Sequence, residues 1–319
     1  MKNQLLSLTI YALGILFCVT PWASPGLALA LGLGFALTLD NPYRVRGARL
    51  AKYLLQASVV LLGFGMSLGV VLRAGASGLL FAAGTIITTF ILGWLLARLL
   101  KINPKTSLLI SAGTAICGGS AIAAVGSAVD ADHGEMSVAM GAVFMLNAVA
   151  LYLFPVLGHL LGLTQNQFGT WAGVAIHDIS SVVGAAAEYG NGALHTATVV
   201  KLSRALWIVP VSLGAAMLFR RDHADDVIPT GKRRINLPWF IGLFLLAAVA
   251  SSFVPGIAQW TALLSHLAKI GLTITLFFIG ASLSRGALKA VGYKPLLQGV
   301  LLWVFISSVS LMTILFAVH

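Results

Sequence analysis

Three groups of polar residues lie inside apolar stretches of this chain, and their types are those that handle small charged solutes. The first is Gly113-Thr114-Ala115-Ile116-Cys117-Gly118-Gly119-Ser120, which interrupts the apolar run 108–130. A glycine in a helix interior costs about 1 kcal/mol against alanine, so adjacent glycines among hydroxyl side chains predict unwound backbone. In hydrocarbon, unwound backbone survives only where protein or a water-filled cavity satisfies its N–H and C=O groups. A glycine-interrupted segment therefore points to a transporter binding site faced by half-helix ends. Close helix packing through small residues is the other reading of the glycines; the added Thr114, Cys117 and Ser120 favour a site.

The second group is His177-Asp178, in the middle of WAGVAIHDISSVVGAAAE, with Ser180 and Ser181 beside it. An ionisable residue inside a span is expensive and is by default a functional hypothesis. The third is Lys201 with Arg204, which share one helix face at i and i+3. Either the cations pair with Asp178 or they draw an anion into the protein. A helix N-terminus created by the break near Gly118 adds free N–H groups and a positive dipole end. Because an isolated buried charge costs several kcal/mol, Asp178 and Lys201 are expected on facing helices, touching directly or through one water. Asn147 is expected to make an interhelical hydrogen bond. No His-Glu-x-x-His, paired cysteine ligand set or phosphate loop occurs, so no metal and no cofactor is expected.

The elements that must position these groups are apolar throughout. Of the 319 residues, 59% are hydrophobic and 9% charged, with a mean hydropathy of +0.96, values that a soluble domain does not reach. Eleven apolar segments are expected, at about 5–20, 26–39, 48–71, 77–100, 106–130, 134–160, 167–187, 193–219, 237–253, 262–283 and 293–317. The net charge of +11 lies in short loops between them, which argues for the positive-inside pattern and against nucleic acid. Strict alternation puts the N-terminus inside, the C-terminus outside, and Asp130, Asp132 and Glu135 on an outer loop. Residues 1–25 are an extra first helix or a signal peptide; the apolar character that resumes at Gly26 favours the helix. Cys18 and Cys117 both lie in apolar segments and predict no disulfide framework.

Removing the first segment leaves two five-helix units, 26–165 and 166–319, the second carrying the polar linker 220–236 as a cytoplasmic hinge. Two strings are repeated. VLLGFGMSL (60–68) resembles TLFFIGASL (275–283), which implies opposite orientations. GTAICGGS (113–120) resembles GVAIHDIS (173–180), yet strict alternation gives these the same orientation. No single two-fold operation accommodates both pairs, so one of them is read as shared small-residue composition and the helix count is preferred to either string match. The five-plus-five count matches segment five to segment ten, with Gly280-Ala281-Ser282 facing Gly118-Gly119-Ser120; segment seven is the alternative second broken helix.

With GTAICGGSAIAAVGSAV, VAIHDISSVVGAA and TATVVKLSRALW in that order, the chain resembles the YeiH-type family of sulfate exporters over nearly its whole length. The resemblance implies an all-α membrane protein with two inverted five-helix repeats and broken crossing helices, as in bile-acid/sodium symporter-like and cation/proton antiporter-like transporters. Segment ten carries no acidic partner, so sodium coupling does not carry over. The reading is a non-enzymatic secondary transporter of a small anion, such as sulfate or a related sulfur oxyanion, in the bacterial inner membrane. The backbone and hydroxyls of 113–120, Ser180, Ser181, Gly280 and Ser282 would contact substrate, and Lys201 and Arg204 would supply positive potential. His177-Asp178 would couple protons or hold Lys201. The partners expected are the anion, the lipid bilayer, a proton as coupling ion and a second copy in a homodimer. The rivals are a passive anion channel and an intramembrane enzyme using His177 and Asp178.

Overall fold

A computed structural model describes residues 2–38, 43–66, 68–219, 239–282 and 291–317. The linker 220–236, the basic residues Arg285 and Lys289, and His319 lie outside the described residues, as does any hinge role for that linker. The described elements are all helical. They are α1 (Lys2–Cys18), α2 (Pro25–Thr38), α3 (Arg44–Gly63), α4 (Leu68–Leu100), α5 (Pro104–Ala115), α6 (Gly119–Ala128) and α7 (His133–Leu160). There follow α8 (Gln165–Ala175), α9 (Ile179–Tyr189), α10 (Asn191–Ala205), α11 (Ile208–Phe219), α12 (Trp239–Phe253), a 3-10 turn (Pro255–Trp260), α13 (Thr261–Ser282) and α14 (Tyr293–Ala317). Five stretches are long and apolar enough to cross a membrane: Phe81–Leu100, His133–Leu160, Asn191–Leu218, Thr261–Ser282 and Tyr293–Phe316. This is an all-α membrane protein.

Local chemistry sets the helix starts around the polar groups. Asn103 caps α5 through the N–H groups of Lys105 and Thr106, at 2.8 and 3.4 Å, with Pro104 in the first turn. Asp132 with Glu135 starts α7, and Thr164 with Gln167 starts α8; both pairs are reciprocal capping boxes.

Segment five breaks where its glycines predict, but it does not continue across the molecule. The Lys105 ammonium donates to the Asp130 carbonyl at 3.0 Å although 25 residues separate them. A straight helix would hold those residues about 37 Å apart. The α5 and α6 arms therefore form a hairpin, with Ile122 of α6 packed on Gly113 of α5. Segment seven does the same. The Gly192 N–H donates to Gln165 Oε1 at 2.7 Å, the Tyr189 hydroxyl to the Leu163 carbonyl at 2.6 Å, and the Phe168 and Tyr189 rings stack at 3.8 Å. The arms are 10 to 12 residues long, or about 15–18 Å, roughly half a bilayer core.

This corrects the expected broken crossing helices to two helical hairpins. The physical reason is that unwinding looks the same in sequence whether the chain goes on or turns back. It also moves the acidic loop: Asp130, Asp132 and Glu135 share the face that bears Lys105, not the opposite one. That basic face also holds the start of α14 and the end of α4, since Gln298 near the start of α14 donates to the Gly93 carbonyl and to Ser107 Oγ. The 28 residues of α7 lead from it to the base of the second hairpin.

Two groups of helices result. In one, α13 packs against α2, α3 and α1, and α12 against α3. There α2 and α13 approach so closely that a side chain on Gly32 or Gly280 would meet the partner's backbone. In the other, the hairpins are enclosed by α4, α7, α10, α11 and α14. Contacts within it come in matched pairs. As α4 and α7 pack on α5, so α14 and α10 pack on α8; as α7 packs on α9, so α11 packs on α6.

Candidate functional site

The hairpin tips meet. At Gly118 the backbone takes φ 66° and ψ −130°, a left-handed conformation open to glycine. A Cβ built there would lie 3.2 Å from both Cα and Cβ of Asp178. Ile116-Cys117-Gly118 of the first tip thus abuts Ile176-His177-Asp178 of the second.

Each tip ends its first arm on a buried cation. The Lys201 ammonium donates to the Ile176 carbonyl at 2.6 Å, at the end of α8. The Arg204 guanidinium donates to the Ala115 carbonyl, at the end of α5, and to Thr85 Oγ1 of α4 at 2.8 Å. The last carbonyls of a helix lack partners and carry its negative dipole end, so a cation is a fitting cap. Lys201 and Arg204 are 0% and 1% exposed. Their shared face on α10, read from the i and i+3 spacing, is what lets one helix serve both tips.

Asp178 serves the second arm of its own hairpin. Its Oδ2 accepts from the Ser180 N–H at 3.1 Å and from the Ser180 hydroxyl, capping α9, while its own N–H donates to Asn147 Oδ1 at 3.1 Å. Asp178 and Lys201 thus bind Ser180 and the Ile176 carbonyl, so of the two expected forms of contact the direct pair is not the one made. The carboxylate is drawn off by the free N–H groups of α9, and the ammonium by the carbonyl end of α8. Asn147 makes an interhelical bond, here to a hairpin tip.

The α6 start differs. Its N-cap is Gly118, with no side-chain cap; Gly119 is half-buried and Ser120 exposed. Around the junction several buried polar atoms have no partner: Thr114 Oγ1, Asn147 Nδ2, both ring nitrogens of His177 and Arg204 Nε. His177 lies 6.3 Å from the Trp303 ring, centroid to centroid. Cys117, Ser180 and Ser181 are buried at the tips.

The structure thus brings together Gly113, Thr114, Cys117, Gly118, Gly119, Ser120, His177, Asp178, Ser180, Ser181, Lys201 and Arg204. It does not bring Gly280 and Ser282 there. Segment ten is the continuous helix α13; a Cβ on Gly280 would meet Leu29 and Leu33 of α2, and Ser282 lies by Gly47 of α3. The second break is in segment seven. Sequence reading passed over Thr85, an unmarked hydroxyl within an apolar helix, and Trp303.

Known proteins place the chain. The family described as Conserved hypothetical protein 698 matches residues 4–299. A UPF0324 membrane protein of Bacteroides thetaiotaomicron is 50% identical over 297 residues, 92% of this chain and 87% of the relative. Another from Porphyromonas gingivalis is 48% identical over 302 residues, covering 93% and 88%. The UPF0324 membrane protein Bd1437 of Bdellovibrio bacteriovorus is 46% identical over 305 residues, covering 96% and 93%. The chain belongs to the UPF0324 family. This is the YeiH-type family its motifs resemble, and the UPF0324 match takes in both hairpins and both cations. No solved structure matches.

Proposed function

We propose that this UPF0324 protein is a secondary transporter that moves a small anion, sulfate or a related sulfur oxyanion, across the bacterial inner membrane by alternating access. The observation that carries it is the meeting of two half-length hairpins at two buried cations, beside a helix N-terminus whose N-cap, Gly118, has no side chain. The first-turn N–H groups of a helix and its positive dipole end suit an anion. The Ser120 hydroxyl and the unpartnered Thr114 Oγ1 and Asn147 Nδ2 offer further polar contacts. His177 and Asp178, at the second tip, are the groups on which proton coupling would act.

The basic face, with Arg44, Arg46, Arg49, Lys52, Arg98, Lys101, Lys105 and Lys294, is the cytoplasmic one by the positive-inside rule. The first hairpin then enters from the cytoplasm and the second from outside. Two spans become two re-entrant hairpins, so parity is kept: N-terminus inside, C-terminus outside. The hairpins also remove the conflict between the repeated strings. Pairing α2, α3, α4, α5–α6 and α7 with α12, α13, α14, α8–α9 and α10–α11 gives five inverted pairs, both string matches included. The second repeat is then a circular permutation of the first.

Access is from the cytoplasm in this conformation. On the outer side α9 packs on α13 and α2, Lys269 donates to Asn191 Oδ1 at 2.7 Å and Tyr152 to the Gly26 carbonyl at 2.6 Å. On the inner side Ser120 and Ser127 of α6 are exposed. The test is exchange of labelled sulfate by purified protein in proteoliposomes. Saturable, proton-gradient-dependent flux is expected. Unsaturable flux would make the protein a channel, and no flux with any sulfur oxyanion would remove the substrate class.

A further inference from the structure

In transporters with discontinuous helices, half-helix C-terminal ends and unwound carbonyls are where coupling cations bind. Here both such ends are occupied from within the chain. The Lys201 ammonium is on the Ile176 carbonyl, and the Arg204 guanidinium bridges the Ala115 carbonyl and Thr85 Oγ1. Both cations come from one helix, α10, and are completely buried. We infer that Lys201 and Arg204 are tethered replacements for dissociable cations, so that removing the Lys201 side chain opens a binding site for a monovalent cation at the tip of the second hairpin.

The chemistry of the vacated place supports this. An ammonium group and a small alkali cation ask for the same partners, oxygen atoms carrying partial negative charge, here offered by the end of α8 with the Asp178 carboxylate two residues on. Substitution of Lys201 by alanine leaves those oxygens with a space the length of the lost side chain, near a buried residue with two unpartnered ring nitrogens, His177. Arg204, one turn on, keeps the first tip capped. The native protein, with both cations fixed, has no need of Na+ and carries its charge through every cycle.

The inference rests on the transport reading only in its second measurement. First, wild type and Lys201→Ala are purified and melted in choline chloride, NaCl and NH4Cl at equal ionic strength. Lys201→Ala is expected to gain about 3 °C or more in Na+ or NH4+ over choline, and wild type to shift by less than about 1 °C. A folded Lys201→Ala that melts alike in all three salts overturns the inference and leaves Lys201 a plain helix cap. If that variant does not fold, Lys201→Ser is melted in the same way. A Na+-dependent wild type also overturns it, with no variant needed. Second, sulfate exchange by Lys201→Ala is expected to run at least about fivefold faster in Na+ or NH4+ than in choline. A wild type that exchanges no sulfur oxyanion removes the proposed substrate class, while the melting shift still decides the cation site.

Discussion

The two hairpins share a plan and differ where it matters for chemistry. In the second, the α9 N-terminus is closed by its own Asp178 carboxylate, and its face from Ile179 to Ala186 is buried, with Gly184 against Leu276 of α13 and Pro25 of α2. In the first, the α6 N-terminus begins at bare Gly118, and Ser120, Ser127 and the half-buried Ala123 and Ala124 form one face at helical spacing that no helix covers fully. The second hairpin carries its own carboxylate at the tip; the first has none, and is the one proposed to receive an anion. Under the proposed inverted repeat and alternating access, one arm docked and its counterpart undocked is the asymmetry expected.

The sharpest way to break this comparison is at the point of contact. Gly118 holds φ 66° against Asp178, while the matching residue of the other tip is Asp178 itself, with extended backbone. Gly118→Ala combines a strained φ with a contact at 3.2 Å to backbone, so a loss of about 2–4 kcal/mol in stability is expected. The checks are melting in detergent and the yield of monodisperse protein. Gly119→Leu places its Cβ 3.2 Å from the Phe144 ring. It should insert and fold yet lose transport, because its side chain covers the first-turn N–H groups.

Next in size is the cap itself. Asp178→Ala should cost about 1 kcal/mol, within the usual range for loss of an N-cap, whereas Asp178→Asn keeps a good cap and should melt within about 0.5 kcal/mol of wild type. Transport should fall in both, because the acidic group at the second tip is gone in both. If Asp178→Asn transports like wild type, Asp178 is a cap and nothing more, and the hairpins differ only in packing. Access then separates the two serines that match in the repeat. In inside-out vesicles, Ser120→Cys should react with a membrane-impermeant thiol reagent and Ser180→Cys should not, as Cys18 and Cys117 are buried. Equal labelling would mean that the two tips are equally open.

How far the sequence could be read follows from the same residues. Gly118-Gly119, His177-Asp178 and Lys201 with Arg204 were readable because polar groups and glycines are conspicuous in apolar surroundings, and all three groups meet at one place. The course of the chain between them was not readable. Hydropathy counts residues in a segment, and the 26 residues from Lys105 to Asp130 are enough either for one crossing or for two half-length arms. What distinguishes them is a tertiary fact, the bond from Lys105 to Asp130 and the Tyr189 contacts at the other base. One trace of it was present: the two repeated strings could not both fit a crossing topology. Gly280-Ala281-Ser282 misled because small residues that let α2 and α13 approach are composed like those of a tip.

The smallest expected effect compares the two hairpin bases. At the second base the partly buried Tyr189 hydroxyl donates to the Leu163 carbonyl while its ring stacks on Phe168 and on His159. At the first base the closing bond is an exposed one made by half-buried Lys105, a long flexible side chain. Tyr189→Phe keeps the stacking and removes one bond to a carbonyl, so about 1 kcal/mol should be lost. Lys105→Met removes a charge-assisted bond that solvent already weakens, and about 0.5 kcal/mol or less is expected. Hydrogen exchange at the bases reads this locally: amides around Leu163 and Tyr189 should lose protection in Tyr189→Phe, while those around Lys105 should change little in Lys105→Met. The first hairpin, with its α6 arm only partly covered, is the candidate moving element of the proposed cycle, and a loosely closed base suits such an element. A larger loss from Lys105→Met than from Tyr189→Phe would reverse that assignment and make the second hairpin the mobile one.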